Sequence, residues 1–397
     1  MKILHLTTTK QAGAGIFALG LSRIFEHSGH ENKIFTFNDF LKKRFIKRRF
    51  SVLIYLFKSF LILKFRKKNN TKIISPLFSL WSPSKIKSLV SDYDLVVIQR
   101  FSNFLSFQEI IHIIQSSKKV IIIGIDEGLF TPYCTYTFDC EKYIGACEKC
   151  PVAPKSKFQL ITSNYLKIEN ILKVADFSNT EIVVASDLEK IKLQNSFWRK
   201  AKIKVSTKIF PYHKVISNEY LNTLFAKKIN LFDHKLIITI SALSPTKRKG
   251  FDLVIVYLEN LNNLSSHKNS KKIEINIITG KSSVNFEKFS NKNLEIKCHT
   301  ILNKKAFEIM LAKSHLFLSF SRADSGPFTL NMCYYLKTII FSFRVGVATE
   351  IEKKTKSIRI IDNFLADNMA KETLKLMNES NQKVKNLLSY NLDTTWI

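Results

Sequence analysis

A chain of 397 residues is long enough for two domains that each bury a core of their own. With 45% apolar residues and 32 phenylalanines it is not a disordered chain, and 62 Lys and Arg against 32 Asp and Glu leave a net charge of +30. Such a charge calls for an anionic partner, whether a phosphorylated small molecule, a nucleic acid or an acidic membrane, and composition does not choose among these.

The apolar stretch at residues 1–6 is too short for a secretory leader and runs straight into a first strand, so the expected location is the cytoplasm. From there strand-length apolar runs alternate with longer stretches of helical spacing, the pattern of parallel sheets with crossover helices. The first strand, 2–7, ends in a turn holding Gly13 and Gly15, ahead of an amphipathic helix that runs to about residue 27. Glycines there let the backbone approach a ligand above a helix N-terminus; a plain tight turn is the alternative. The turn is not a dinucleotide fingerprint, because the third glycine and the acidic residue after the second strand are not in place.

Strands follow at 33–37, 95–99, 119–126 and 181–186. Between the second and third, residues 41–91 carry 14 Lys and Arg and no Asp or Glu. Within them Leu53, Leu56, Phe57, Phe60 and Leu61 fall near one helical face. The run is too short and too charged to cross a bilayer, which takes about 20 apolar residues. It suits either an interfacial helix on an anionic membrane surface or a surface helix packed on the core. Its cations interleave with aliphatics rather than stacking aromatics, so nucleic acid is not an expected partner.

The loop 133–151 holds Cys134, Cys140, Cys147 and Cys150. Cys147-x-x-Cys150 has metal-ligand spacing, and the other two thiols could complete a tetrahedral, structural zinc site with no open coordination position. A loop of buried free thiols is the other reading. A polar stretch at about 202–233 then breaks the alternation and reads as an interdomain linker.

In the second half, strands are expected at 235–243, 273–279, 294–299, 315–320, 338–343 and 357–361. The first runs into Lys247-Arg248-Lys249-Gly250, three cations ahead of a helix at the carboxyl end of a strand, where fixed positive charge can neutralise a departing diphosphate. A solvated charge run is the alternative. The fourth opens onto Asp324-Ser325-Gly326-Pro327-Phe328-Thr329 and then Asn331. A Gly-Pro pair that opens a helix leaves backbone N–H groups free for an anion, unless the stretch is an ordinary turn.

Four blocks carry a family resemblance. They are Gly13-Ala14-Gly15-Ile16; Asp126 followed by Cys134-x-Tyr136, Cys140-Glu141-Lys142-Tyr143 and Cys150-Pro151; Arg248-Lys249-Gly250-Phe251-Asp252; and Asp324-Ser325-Gly326-Pro327 with Asn331. In this order the chain resembles the retaining glycosyltransferases of GT-B fold, family 4, in the subgroup of bacterial capsule, O-antigen and exopolysaccharide assembly. The resemblance implies an α/β chain of two doubly wound Rossmann-like domains facing each other across a cleft. Residues 1–205 would take a lipid-linked or glycan acceptor, residues 206–380 a nucleotide-sugar donor, and a helix in 381–397 would return to the first domain. It puts Arg248 and Lys249 on the diphosphate and Gly280 near the nucleoside. Ser325, Gly326, Phe328, Thr329 and Asn331 would line the sugar and phosphate, with Gly13 and Gly15 closing over the phosphates. Asp126 and Asp324 are the carboxylates left in catalytic positions, or else caps on the turns that follow them. No cofactor is required for catalysis in this fold's usual mechanism, and such an enzyme is expected on the inner face of the plasma membrane.

The chain departs from the subgroup at Ile125, where a histidine is usual, and at Ala323 and Met332, where acidic residues are. These departures keep open a catalytically silent paralogue that serves as a scaffold partner of other transferases. A GT-B epimerase would need acid/base groups that the sequence supplies sparingly.

Overall fold

The computed structural model describes residues 1–10, 12–39, 81–100, 104–151, 153–242, 246–265, 271–279, 285–300, 303–326, 328–390 and 392, in two compact units, Met1–Lys208 and Ile209–Ile397. Most of the basic segment, residues 41–80, lies outside the described residues, as do Gly280 and Pro327.

The first unit is built on a parallel sheet of β1 (Lys2–Thr7), β2 (Glu31–Thr36), β3 (Leu95–Arg100), β4 (Val120–Gly124), β5 (Thr180–Val184) and β6 (Lys204–Thr207), in the order β2-β1-β3-β4-β5-β6. The central strands are continuous apolar runs because helices cover both faces of the sheet. Helix α1 (Ala12–His27) buries Phe17, Ala18, Leu21 and Phe25, a stripe at helical spacing. Helix α2 (Pro83–Val90) buries Ile86 and Val90, so the end of the basic segment packs on the core. In α3 (Phe107–Ser116) Ser106 and Glu109 form a reciprocal capping box. Helices α4 (Phe158–Val174) and α5 (Asp187–Asn195) complete the described layers.

The second unit repeats the plan with β7 (Lys235–Ala242), β8 (Lys272–Thr279), β9 (Leu294–His299), β10 (Leu316–Ser319), β11 (Ile339–Phe343) and β12 (Ile358–Ile361), in the order β12-β11-β10-β7-β8-β9. Ile238, Ile240, Ile277, Leu316 and Leu318 form the centre of its core. Helices α6 (Asn218–Leu231), α7 (Phe251–Ser265), α8 (Lys304–Lys313), α9 (Phe328–Tyr335), α10 (Ala348–Lys354), α11 (Ala366–Met377) and α12 (Asn381–Leu388) surround it.

One expectation is corrected. The stretch at 202–233 is not a bare linker: it contains β6 and α6, and α6 buries Leu221, Leu224 and Lys228 on one face behind the Ser217 cap. Between them, the buried Glu308 carboxylate accepts hydrogen bonds from Tyr212 Oη, from Val215 N at 2.8 Å and from Ile216 N at 3.1 Å, which ties residues 212–216 to α8. The final helix packs within its own unit. Val384 and Leu388 of α12 enter the second core, Tyr390 stacks on Tyr334 at 5.3 Å, and its hydroxyl donates to Tyr334 O. The apolar face of α12 thus has its partner within its own unit.

Candidate functional site

In the second sheet the connections run outward in opposite directions from β7 and β10, which are neighbours. A parallel α/β sheet leaves its crevice at the carboxyl edge of such a switch point. The residues after β7 and β10 are locked together there. Gly250 has φ +65, and a Cβ on it would lie 1.9 Å from Phe320 O, so only glycine lets the turn after β7 rest on the end of β10. Arg322 N donates to Arg248 O at 2.8 Å, and the Arg322 guanidinium binds Asp252 with two bonds of 2.6 and 2.7 Å. Those bonds hold the Asp252 carboxyl below its usual pKa.

Arg248 Nη1 donates to Ala323 O at 3.0 Å and meets Asp324 Oδ2 at 3.3 Å, and Lys249 Nζ binds the same oxygen. The Asp324 side chain is 8% exposed, against 24% for Arg248 and 31% for Lys249. Asp324 is therefore the inner, organising member of the cluster and the cations form its outer face. From beneath, Gly346 at φ +49 passes so close that a Cβ would fall 2.4 Å from Asp324 O. With Lys247 and Arg322, four cations stand against the carboxylates of Asp252 and Asp324, which leaves the crevice positive.

Ser325 and Asn331 flank the Gly-Pro turn and the first turn of α9. Both are fully buried, and among the described residues Ser325 Oγ and both amide atoms of Asn331 lack hydrogen-bond partners. A buried polar group without a partner costs about 1–3 kcal/mol, so these three atoms favour a further polar contact. Gly326 sits between them; Thr329 is half-buried. The Phe328 ring packs edge-on against Tyr212 at 5.4 Å, so its side chain is used in the unit's own packing.

The first sheet has its switch between β1 and β3. A register shift after Leu6 brings Thr7 opposite Arg100, and Thr8 Oγ1 donates to Arg100 O at 3.1 Å. Below the edge, Gln99 Nε2 donates to His5 Nδ1 at 3.0 Å, and His5 Nε2 donates to Asn32 Oδ1 at 2.9 Å; burial keeps this imidazole neutral by lowering its pKa. Asp126 caps the turn Glu127–Leu129 through Gly128 N at 3.1 Å and faces Arg100 at 3.7 Å. The structure so brings Asp126 to the same edge as Arg100, while Thr7 Oγ1 and Gln99 Oε1 there are buried and, among the described residues, without partners. Gly13 and Gly15, expected in the turn ahead of the helix, lie instead in the first turn of α1; Gly15 is held by packing, since a Cβ would meet Lys10 C at 2.3 Å, whereas Gly13 faces open space.

Cys134, Cys140, Cys147 and Cys150 line one pocket, and none is in a disulfide. Burial pushes the Cys134 thiol up to about 12 and raises Cys147 as well. Among the described residues no group of three or more His, Cys, Asp or Glu is already gathered into a metal site.

Sequence reasoning missed Arg322 and Gly346; it noted Gln99 and Arg100 only as the residues that stand where the resembled subgroup has a histidine-containing pattern, and not their contacts with His5 and Asp126. Gly346 carried the clearest signal, a lone glycine just past an apolar strand.

Two doubly wound parallel sheets, each with a switch-point crevice at its carboxyl edge, make this a two-domain Rossmann-like α/β protein of GT-B fold. Solved structures with this fold include sucrose-phosphate synthase from Thermosynechococcus elongatus, with a TM-score of 0.55 and 10% identity over 98% of this chain and 92% of that one. HepE from Anabaena, in complex with UDP-glucose, gives 0.52 and 12% over 98% and 93%. WaaG, a glycosyltransferase involved in lipopolysaccharide biosynthesis, gives 0.52 and 11% over 98% and 94%. At these identities the likeness is one of fold. No protein-family model matches the sequence, and no curated protein matches it. Among the described residues no helix is long and apolar enough to cross a membrane.

Proposed function

We propose that the protein is a glycosyltransferase that moves a sugar, with retention, from a nucleotide-sugar donor to a lipid-linked or oligosaccharide acceptor in bacterial surface polysaccharide synthesis. The observation that carries this reading is the Arg248–Lys249–Asp324 cluster at the β7/β10 switch point, beside the unpartnered Ser325 and Asn331. Arg248 and Lys249 take the diphosphate, and the start of α9 adds its backbone N–H groups. As the bond from the sugar to the phosphate breaks, negative charge grows on the leaving oxygen, where preoriented cations stabilise most. They supply the stabilisation that a divalent metal gives in other sugar transferases, so no cofactor is required. A retaining step can use the leaving phosphate itself as the base that accepts the acceptor proton. Asp324 then keeps the two cations in place.

The first unit takes the acceptor. Asp126, Arg100 and the unpartnered Thr7 Oγ1 and Gln99 Oε1 form a polar edge suited to sugar hydroxyls. The solved complexes of HepE with UDP and with UDP-glucose support a nucleotide sugar as donor by analogy of fold. The 14 cations of residues 41–91, with no acid among them, support work at the anionic inner face of the plasma membrane.

A second reading, a silent scaffold for other transferases, draws on Ala323 and Met332, which are buried and apolar where the resembled subgroup carries acids. Thermal unfolding against a panel of UDP-, GDP- and other nucleotide sugars separates the two. A donor at 100 times its dissociation constant adds about 2.7 kcal/mol of stability. A selective shift, followed by sugar release in the presence of acceptor lipid, is the expected result, and no shift with any donor sinks the transferase reading.

A further inference from the structure

We propose that Cys134, Cys140, Cys147 and Cys150 bind one zinc ion, and that this ion fixes the turn carrying Asp126. The four thiols come from three separate bends of the loop and line a single pocket, with Cys147 and Cys150 buried. A merely apolar loop has no need of the backbone found here. Phe138, Ala146, Cys147 and Lys149 all take positive φ, at 52, 51, 55 and 47°. Left-handed backbone at non-glycine residues persists where the surroundings impose it and gathers at ligand clamps. Here it bends the chain around Cys147-x-x-Cys150 so that both thiols turn inward, while Cys147 N donates to Lys142 O at 2.9 Å and Cys140 N to Thr137 O at 2.9 Å. Four soft sulfurs in one pocket match zinc, at about 2.3 Å per bond in a tetrahedron, better than a hard cation. The thiols do not yet meet at a point, so binding closes the site. Each thiol gives up its proton to solvent as its sulfur takes the metal, and no electron changes hands.

The loop is hydrogen-bonded to the residue after Asp126. Glu127 N donates to Thr135 O at 3.1 Å, and the Glu127 carboxylate accepts from Thr137 N and from Lys192 Nζ, the latter at 2.6 Å. Thr135 and Thr137 lie between Cys134 and Cys140. Closing the four sulfurs on an ion therefore sets the position of the Glu127 turn, and with it the Asp126 carboxylate at the edge of the first sheet. This role is independent of which molecule that edge binds.

The test is elemental analysis of the full chain purified under reducing conditions, with Co²⁺ replacement and thiol counting by alkylation and mass spectrometry. One zinc per chain, thiolate-to-cobalt charge-transfer bands and four loop cysteines protected from alkylation until a chelator is added are expected. Cys150→Ser should lower zinc to background, and Cys298→Ser, at an exposed thiol outside the loop, should leave it unchanged. Chelation should also speed amide exchange at residues 127–137. Metal-free protein whose four loop thiols alkylate freely overturns the proposal, as does a pair of disulfides in that loop. These measurements on the unmutated chain stand even if Cys150→Ser fails to fold.

Discussion

Replacing Arg248 and Lys249 together by Ala tests the site most directly, provided binding and stability are kept apart. A hydrogen bond to a charged group contributes ~1.5–3 kcal/mol, so two cations on a diphosphate are worth about 3–6 kcal/mol at most. Both side chains are partly open to solvent and already share Asp324, which places the expected loss near the lower end. At 1.4 kcal/mol per tenfold, about 3 kcal/mol is roughly a 100-fold weaker dissociation constant. The double variant also strands Asp324, 8% exposed, without a counter-charge, and breaking a buried pair from one side costs ~3–5 kcal/mol of stability. Adding Asp324→Ala removes the stranded carboxylate. The triple variant should therefore recover much of its melting temperature while nucleotide binding stays weak. Calorimetric titration with the donor that gives the largest thermal shift reads the affinity, and thermal unfolding reads the fold. If the triple variant binds within about threefold of the parent, the cations do not hold the diphosphate and the assignment fails.

Glu308→Gln should cost the second unit about 3–5 kcal/mol in urea unfolding, because an amide offers one acceptor oxygen and turns an NH₂ toward donors that now converge on two carboxylate oxygens. A loss below about 1 kcal/mol would mean that residues 212–216 are held by packing alone. Lys228 is fully buried, its ammonium donates to Lys337 O at 2.7 Å, and burial pushes its pKa down to about 7. Between about pH 7 and pH 10 the unfolded chain keeps a proton that the folded chain has lost, so stability rises with pH in that window, by up to about 1.4 kcal/mol per unit. Below pH 7 the penalty is fully present. Lys228→Met should flatten that slope, and an unchanged slope between pH 7 and 9 would show that Lys228 stays charged in the fold.

Periodicity made most of the fold legible. Every strand but β6 lies where an apolar run put it, most plainly the central ones, since a strand buried on both faces must be apolar along its whole length. β6 escaped because it is a four-residue edge strand, Lys204–Thr207, only half-buried, so its side chains carry no such pattern. α6 was hidden in the same stretch by its lysines, one of which, Lys228, is buried against expectation. The candidate site was legible as two charged blocks far apart in sequence. What joins them was not, because Arg322 reads as one more cation among 62 and only the folded chain brings it to Asp252 and to the backbone of Arg248. Asp126 and Asp324 were readable as carboxylates at strand ends, but their counter-ions Arg100, Arg248 and Lys249 come from other strands and so cannot be paired by spacing.

What the site lacks also constrains its chemistry. Ala323 and Met332 are buried and apolar, so neither side chain can accept a hydrogen bond from a ribose or sugar hydroxyl. Asn331, adjacent to Met332, and Ser325 offer neutral donors and acceptors with no partner of their own among the described residues. A neutral hydrogen bond contributes ~0.5–1.5 kcal/mol against ~1.5–3 for a charged one, so on the proposed reading the sugar and ribose are held less firmly than an acid-bearing site would hold them. On that reading, the absence of acids at 323 and 332 also leaves the positive potential around the proposed diphosphate undiluted by two further carboxylates. The balance of binding thus moves from the hydroxyls to the phosphates, which is where charge develops when the bond to the leaving group breaks. A site of this kind keeps the electrostatic part of the catalysis and gives up part of the orientation, and Asn331→Ala should therefore weaken the discrimination between donor sugars more than the grip on the nucleotide.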